Sequence, residues 1–186
     1  MYNETLLERN IKQKVARFID KSSNLTWPDG FVDFDNQCFV VNGVKPVAHV
    51  QDEIESAFLW CWSVKDYLIS SLDGKVSAKT IENDINQYDC LTICSDIANR
   101  LKHQNLRSSR SEKFAKLIVT QIVSINTKTI SKIQRLDGHY FITPQNGECV
   151  KIKAKIVDQD GCFLFDAYEC LNNSLMAWDT IGKKYE

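Results

Sequence analysis

Phe58-Leu59-Trp60-Cys61-Trp62-Ser63-Val64-Lys65-Asp66-Tyr67-Leu68 lies on a stripe of Val50, Ile54, Ala57, Cys61, Val64, Leu68 and Leu72, spaced three and four apart. That spacing predicts one helix from just after Pro46, a residue accepted in a first helical turn, to about Leu72, with Asp73-Gly74 as its stop. Phe58, Leu59, Trp60, Trp62 and Tyr67 add apolar surface at other angles, so the helix is greasy around most of its circumference. Such a helix belongs at the centre of a bundle or in a subunit interface, and burial in a bundle is the simpler expectation.

Working outward, Leu7, Ile11, Val15 and Phe18 mark an amphipathic helix in the first twenty residues. Residues 24–43 carry a Trp27-Pro28-Asp29-Gly30 turn signal, two short β-prone runs and a closing Asn42-Gly43, which fit a hairpin or an ordered loop. A short helix is expected over residues 77–87. Asp89 then stands as N-cap of a helix whose apolar face is Cys90, Ile93, Cys94, Ile97 and Leu101. Beyond Ser108 the period changes. Residues 117–125 are β-branched and apolar, and Val150, Ile152, Ala154 and Ile156 alternate with Lys151, Lys153 and Lys155 as in a half-buried strand. Asp158-Gln159-Asp160-Gly161 turns the chain into residues 162–165, and Asp166 caps a last helix through Ala167, Leu171, Leu175 and Trp178.

The expected architecture is α+β: a bundle of four or five helices with a small C-terminal antiparallel β-hairpin or sheet. It forms a single domain over 1–186, mainly helical over 1–110 and β-rich over 111–165, with the terminal helix 166–182 packing back. The chain's 186 residues, 44% hydrophobic and 25% charged, suffice for one sizeable core. Its 23 Lys and Arg against 24 Asp and Glu exclude a chain-wide basic field for nucleic acid or membrane surfaces. No stretch approaches the roughly 18 uninterrupted apolar residues of a membrane helix and the start has no secretory core, so no membrane partner and a cytoplasmic location are expected. Seven scattered cysteines read as mostly buried thiols. Cys90, Cys94 and His103 lack the tight Cys-x2-Cys spacing and second ligand pair of a zinc site, so neither metal nor cofactor is expected.

Chemistry concentrates in Asp96-Ile97-Ala98-Asn99-Arg100-Leu101-Lys102-His103. At about 100° per residue, Thr92, Asp96, Asn99 and His103 fall on one side, opposite Ile97 and Leu101, so this row is expected to face away from the helix's own core. An imidazole can pass a proton near neutral pH, an amide can orient it, and Arg100, Lys102, Arg107 and Arg110 can neutralise phosphate charge. The same groups equally suit passive phosphate binding or capping of a helix C-terminus.

Trp62-Ser63-Val64-Lys65-Asp66-Tyr67-Leu68 on one long helix, followed by a helix with this octapeptide, resembles the HEPN superfamily (higher eukaryotes and prokaryotes nucleotide-binding) over residues 46–110. The resemblance implies a helical bundle, often a homodimer, whose paired motif helices form a metal-independent endoribonuclease site in bacterial toxin–antitoxin and phage-defence systems. It makes His103 the motif histidine and proton-transfer group, with Asn99 and Arg100 completing the catalytic set. Lys102, Arg107 and Arg110 become RNA or phosphate contacts and Asp96 a supporting residue; Asp66, beside the Trp-rich face of the long helix, fits equally a supporting residue that reaches Asn99, Lys102 or His103 across a helix pair and a buried or interfacial salt bridge. Arg100 stands three residues before His103, closer than the family's usual spacing, so Asn99 occupies the arginine's helical position. Many members are noncatalytic, and two further readings stand alongside: a protein-interaction subunit with a partner such as an antitoxin, and a small-nucleotide-binding module. His49 and His139 show no partner in sequence and read as solvent-facing. Lys151, Lys153 and Lys155 read as protection of an edge strand.

Overall fold

A stop at Asp73-Gly74 and a start after Pro46 bound the long helix as its sequence dictates: α1 spans Val47–Ser71. In the computed structural model, the described residues are 12–13, 15, 26–34, 39–44, 47–103, 106–124, 128–145 and 150–185. Contacts divide the chain into two compact units, one of residues 1–20, 53–118 and 154–186, the other of residues 21–52 and 119–153.

The first unit holds most of α1, with α2 (Ala78–Ile85), α3 (Asp89–Lys102) and α4 (Ala167–Lys184). Ile54, Ala57, Phe58, Cys61, Trp62, Val64, Leu68 and Leu72 of α1 are buried, reproducing the expected stripe and adding Phe58 and Trp62 to it. Trp60 stays 42% exposed, so the greasy circumference is not buried all round. Burying each large side chain contributes about 1.5–3 kcal/mol. Trp62 meets Trp178 of α4 with ring centroids 6.3 Å apart. Thiols link the helices: Cys94 Sγ donates to Phe58 O and Cys170 Sγ to Cys90 O, each at 3.6 Å. Burial pushes the Cys94 and Cys170 thiols well up, with neighbouring cysteines adding to it. Cys61, Cys90, Cys94 and Cys170 are buried and Cys162 is exposed, while Cys38 and Cys149 lie outside the described residues.

The caps follow sequence. Ser77 accepts from Thr80 N at the start of α2, and Asp166 accepts from Tyr168 N and Glu169 N at the start of α4. Tyr88, not Asp89, is the N-cap of α3, and Asp89 supplies its first-turn acid instead. The far end of α4 is latched to α2 by Lys184 Nζ, 2.6 Å from Asp84 Oδ1, and by the Tyr185 hydroxyl, which donates to Asp84 Oδ2. Burial alone would raise the Asp84 carboxyl, but these donors and the lysine charge outweigh it and hold the carboxyl below its usual value. Burial and the Asp84 carboxylate push Tyr185 up to about 12. Of the N-terminal helix expected in the first twenty residues, Lys12, Gln13 and Val15 are described and helical, with Val15 buried and Lys12 Nζ 2.8 Å from Asp179 Oδ1. The rest of it lies outside the described residues.

Strands β1 (Thr26–Phe34), β2 (Phe39–Val44), β4 (Ile130–Leu136) and β5 (His139–Pro144) form a four-stranded sheet in the order β1-β2-β5-β4. The hairpin alternative for residues 24–43 is the observed one, with Phe34 opposite Phe39. The sheet is mixed, because β2 runs parallel to β5 with Phe39 opposite Tyr140, whereas β4 and β5 are antiparallel. Asp137 and Gly138 join the latter pair at φ 49° and 84°, the left-handed pair of a type I′ turn, which Asp-Gly adopts readily. The remaining strands, β3 (Lys116–Val123), β6 (Val150–Val157) and β7 (Phe163–Asp166), form a second sheet in the order β3-β6-β7.

These seven strands, in two sheets among the described residues, correct the expected four- to five-helix bundle with a small C-terminal hairpin: the fold is mixed α+β. The breadth of apolar surface on α1 points to a bundle and carries no sign of residues 130–144, whose β-formers and Asp-Gly turn build half of the four-stranded sheet. A second correction concerns Lys151, Lys153 and Lys155. All three are exposed and alternate with buried Ala154 and Ile156, but β6 is the central strand of its sheet, so they do not guard an edge.

Candidate functional site

The octapeptide lies on α3, and its row is not outward. Residues 90–98 are all buried, including Thr92 at 7% and Asp96 at 0% exposure, and beyond its exposed first residue, Asp89, the helix opens to solvent again only from Asn99 onward. Helical spacing does set Asp96 on the side of Thr92 and Asn99, about 100° around the helix from Ile97. What it does not contain is the segment that covers Asp96, the irregular chain of residues 106–115.

Asp96 organises that segment. Its Oδ2 accepts from Ser109 Oγ and Ser111 Oγ, each at 2.5 Å, and from Ala115 N at 3.4 Å, while Oδ1 accepts from Arg110 N at 2.7 Å. Four donors satisfy a carboxylate that burial would otherwise penalise heavily. Arg100, one turn along, works on the acceptors of the same segment: its Nε donates to Ala115 O and its Nη2 to Phe114 O. The Asp96 and Arg100 pair at helical neighbour spacing thus templates the loop, the acid taking its donors and the base its carbonyls. Glu112 and Phe114 are held at φ 63° and 51°, left-handed conformations that cost a non-glycine residue on the order of 1 kcal/mol or more each.

Above this clamp lies a cleft of about 330 Å³ lined by Glu82 and Asn86 of α2, Ser95 and Asn99 of α3, and Ser108, Ser109 and Arg110 of the loop. Its cation is well placed. The Arg110 guanidinium sits 5.2 Å from the Trp62 ring centroid, Nη1 donates to Asn86 Oδ1 at 3.1 Å and Nη2 lies 3.4 Å from Glu82 Oε2. Lys65 Nζ stands over the same indole, also at 5.2 Å, and 3.8 Å from the Glu82 carboxylate. Asn99 Nδ2 donates to Ser95 Oγ at 3.3 Å. The cleft therefore offers amides, hydroxyls, one aromatic-backed guanidinium and the Glu82 carboxylate that pairs with it.

Of the residues singled out in sequence, the structure brings Asn99 and Arg110 together in the cleft, places Asp96 and Arg100 in its support, and leaves the others elsewhere. His103 is the exposed C-cap of α3, its backbone N–H donating to Asn99 O at 2.9 Å. Lys102 and Arg107 are exposed and are not among the cleft's lining residues. Asp66 does not reach Asn99, Lys102 or His103: its side chain is 65% exposed and lies 3.5 Å from Lys65 Nζ, because it projects from the solvent side of α1. His49 is exposed, as is His139, whose Nδ1 lies 3.1 Å from Asp137 O at the hairpin turn. Sequence reasoning missed Ser109, Ser111, Glu82 and Asn86. The run Ser108-Ser109-Arg110-Ser111, rich in short hydroxyls just after a helix carrying a lone acid, was the available signal. No three His, Cys, Asp or Glu side chains among the described residues gather as a metal site. Neither a protein-family model nor a curated protein nor a solved structure matches the chain. No helix among the described residues is long and apolar enough to cross a membrane.

Proposed function

We propose that this chain is a cytoplasmic, HEPN-like nucleotide-binding protein that holds the phosphate and ribose of a nucleotide, free or within RNA, in the cleft between α2, α3 and the Asp96-clamped loop. The observation that carries the reading is Arg110. Its backbone is fixed by a buried carboxylate, its guanidinium is backed by Trp62, and Asn99, Ser108 and Ser109 surround it. A phosphate oxygen replaces Glu82 as the anionic partner of Arg110, a gain because the existing contact at 3.4 Å is longer than a tight charge-assisted hydrogen bond. The amides and hydroxyls then take the ribose and the remaining phosphate oxygens. Binding, not cleavage, is the activity this geometry supports best.

Fluorescence anisotropy with labelled AMP and with a labelled oligoribonucleotide tests the reading and separates its two sources of phosphate. Arg110→Gln, checked for an unchanged fold by circular dichroism, is expected to weaken whichever probe binds at least tenfold. Failure of the folded wild type to bind either probe sinks it. A second reading rests on one observation: Lys102 and His103 are both exposed at the end of α3, where an imidazole can serve as the proton-transfer group of a metal-independent ribonuclease. RNA cleavage that persists in EDTA and disappears in His103→Ala supports it. An interaction subunit of a toxin–antitoxin or phage-defence system becomes the better reading if neither binding nor cleavage is found.

A further inference from the structure

The edge of the four-stranded sheet carries an inference that goes beyond nucleotide binding and does not depend on it. Strand β4 ends the order β1-β2-β5-β4, and among the described residues no strand pairs with its outer side. Six of its seven residues are exposed, including Ile133 at 56% and Leu136 at 61%. An open edge with exposed aliphatic side chains invites another strand, and charged residues on it decide which strands are admitted.

We propose that β4 pairs antiparallel with β4 of a second copy of this chain, about a two-fold axis through Ile133, joining the two four-stranded sheets into one. The sequence Ile130-Ser131-Lys132-Ile133-Gln134-Arg135-Leu136 is self-complementary in that register. Ile133 meets its own symmetry mate, Ile130 meets Leu136, Ser131 meets Arg135 and Lys132 meets Gln134. Every aliphatic residue faces an aliphatic residue, and neither cation lies directly opposite another, an arrangement that favours pairing. A slip of one residue toward the turn places Lys132 opposite Arg135, and a parallel in-register pair stacks each cation on its copy. Such a slip also moves Ile133 to face a polar residue, Gln134. Arg135 is additionally drawn toward its own sheet, with its guanidinium 5.5 Å from the ring centroid of Tyr140, its partner residue on β5. The contact is isologous, so it closes at the dimer and does not propagate.

Light scattering coupled to size exclusion, on the full chain at about 100 µM, is expected to give twice the 21.4 kDa chain mass. Ile133→Lys is expected to halve that mass while leaving the melting temperature of the monomer and nucleotide binding unchanged, because the replaced side chain is mostly in solvent and far in sequence from the cleft. Register is read with cysteine. Under diamide, which takes up the two protons and two electrons released, Ile133→Cys is expected to give a covalent dimer beyond the wild-type background and Ser131→Cys is not. A monomeric wild type overturns the proposal, as does a dimer that survives Ile133→Lys, or a dimer in which Ile133→Cys fails to cross-link. An acidic peptide that binds the monomeric wild type at β4 identifies a different occupant and overturns it equally.

Discussion

Among the described residues, left-handed non-glycine residues fall in two segments, and these hold them by opposite means. In the hairpin between β4 and β5, Asp137 and Gly138 adopt positive φ in a two-residue turn for which those residue types are suited, and a Cβ added at Gly138 meets nothing within 4 Å. In the loop after α3, Glu112 and Phe114 adopt positive φ although neither suits it, and the buried carboxylate of Asp96 with the guanidinium of Arg100 supplies what holds them there. The hairpin is a local solution. The loop is imposed across fifteen or so residues of sequence by a charge whose burial is tolerated only because the loop surrounds it. Strain concentrated beside the cleft, and absent from the surface turn, fits the binding role proposed for that segment.

The contrast can be broken most severely at Asp96. Asp96→Ala leaves two hydroxyls and two backbone N–H groups without their acceptor, and is expected to cost on the order of 3–5 kcal/mol in denaturant unfolding, or to release the loop to proteolysis. A loss below about 1 kcal/mol contradicts the clamp. At the hairpin, Gly138→Ala is expected to cost about 1 kcal/mol from backbone strain alone, since space is open. The same reasoning reverses in the loop. Glu112→Gly relieves a left-handed non-glycine residue and is expected to be neutral or stabilising by about 0.5–1 kcal/mol, in spite of the added chain entropy. A marked destabilisation there means that Glu112 has a role the clamp does not explain.

A pH titration of stability sharpens the comparison at a third charged contact, the latch of α4 on α2. The folded-state pKa of Asp84 is lowered, so its contribution is present above the usual carboxylate value and is lost as pH falls through the folded value. Tyr185 is raised to about 12, so its contribution is complete below its ordinary value of 10 and is lost as pH rises through 12. Asp84→Asn should flatten the acid limb of the stability profile relative to wild type, and Tyr185→Phe the alkaline limb. The smallest effect belongs to the exposed tip of α3, where His103→Ala is expected to change stability by less than about 0.5 kcal/mol.

Which of these features the sequence disclosed follows the same division between local and distant causes. The bounds of α1, the cap Asp166 and the alternation of β6 are written in neighbouring residues and are legible there, whereas the hairpin of β1 and β2 is one of two readings the sequence leaves open. The parallel pairing of β2 with β5 joins residues about a hundred positions apart and leaves no periodic trace, so the sheet, and with it the departure from a helical bundle, is not legible. The site divides likewise. Asn99 and Arg110, singled out by residue type, do line one cleft, but Asp96 is covered and not outward, because a helical wheel shows which residues share a side and not what later chain covers that side. Glu82 and Asn86, on a helix whose polar residues look like ordinary surface, gave no signal at all.

In the proposed function ligand binds over Arg110 and not at the tip of α3, and nitrogen-resolved NMR of the labelled chain, titrated with AMP and then with a short oligoribonucleotide, distinguishes the two positions. The predicted result is saturable shifts at the side-chain amides of Asn86 and Asn99 and at the backbone of residues 108–110, with His103 unmoved. Shifts confined to Lys102 and His103, with the cleft amides silent, would contradict the account.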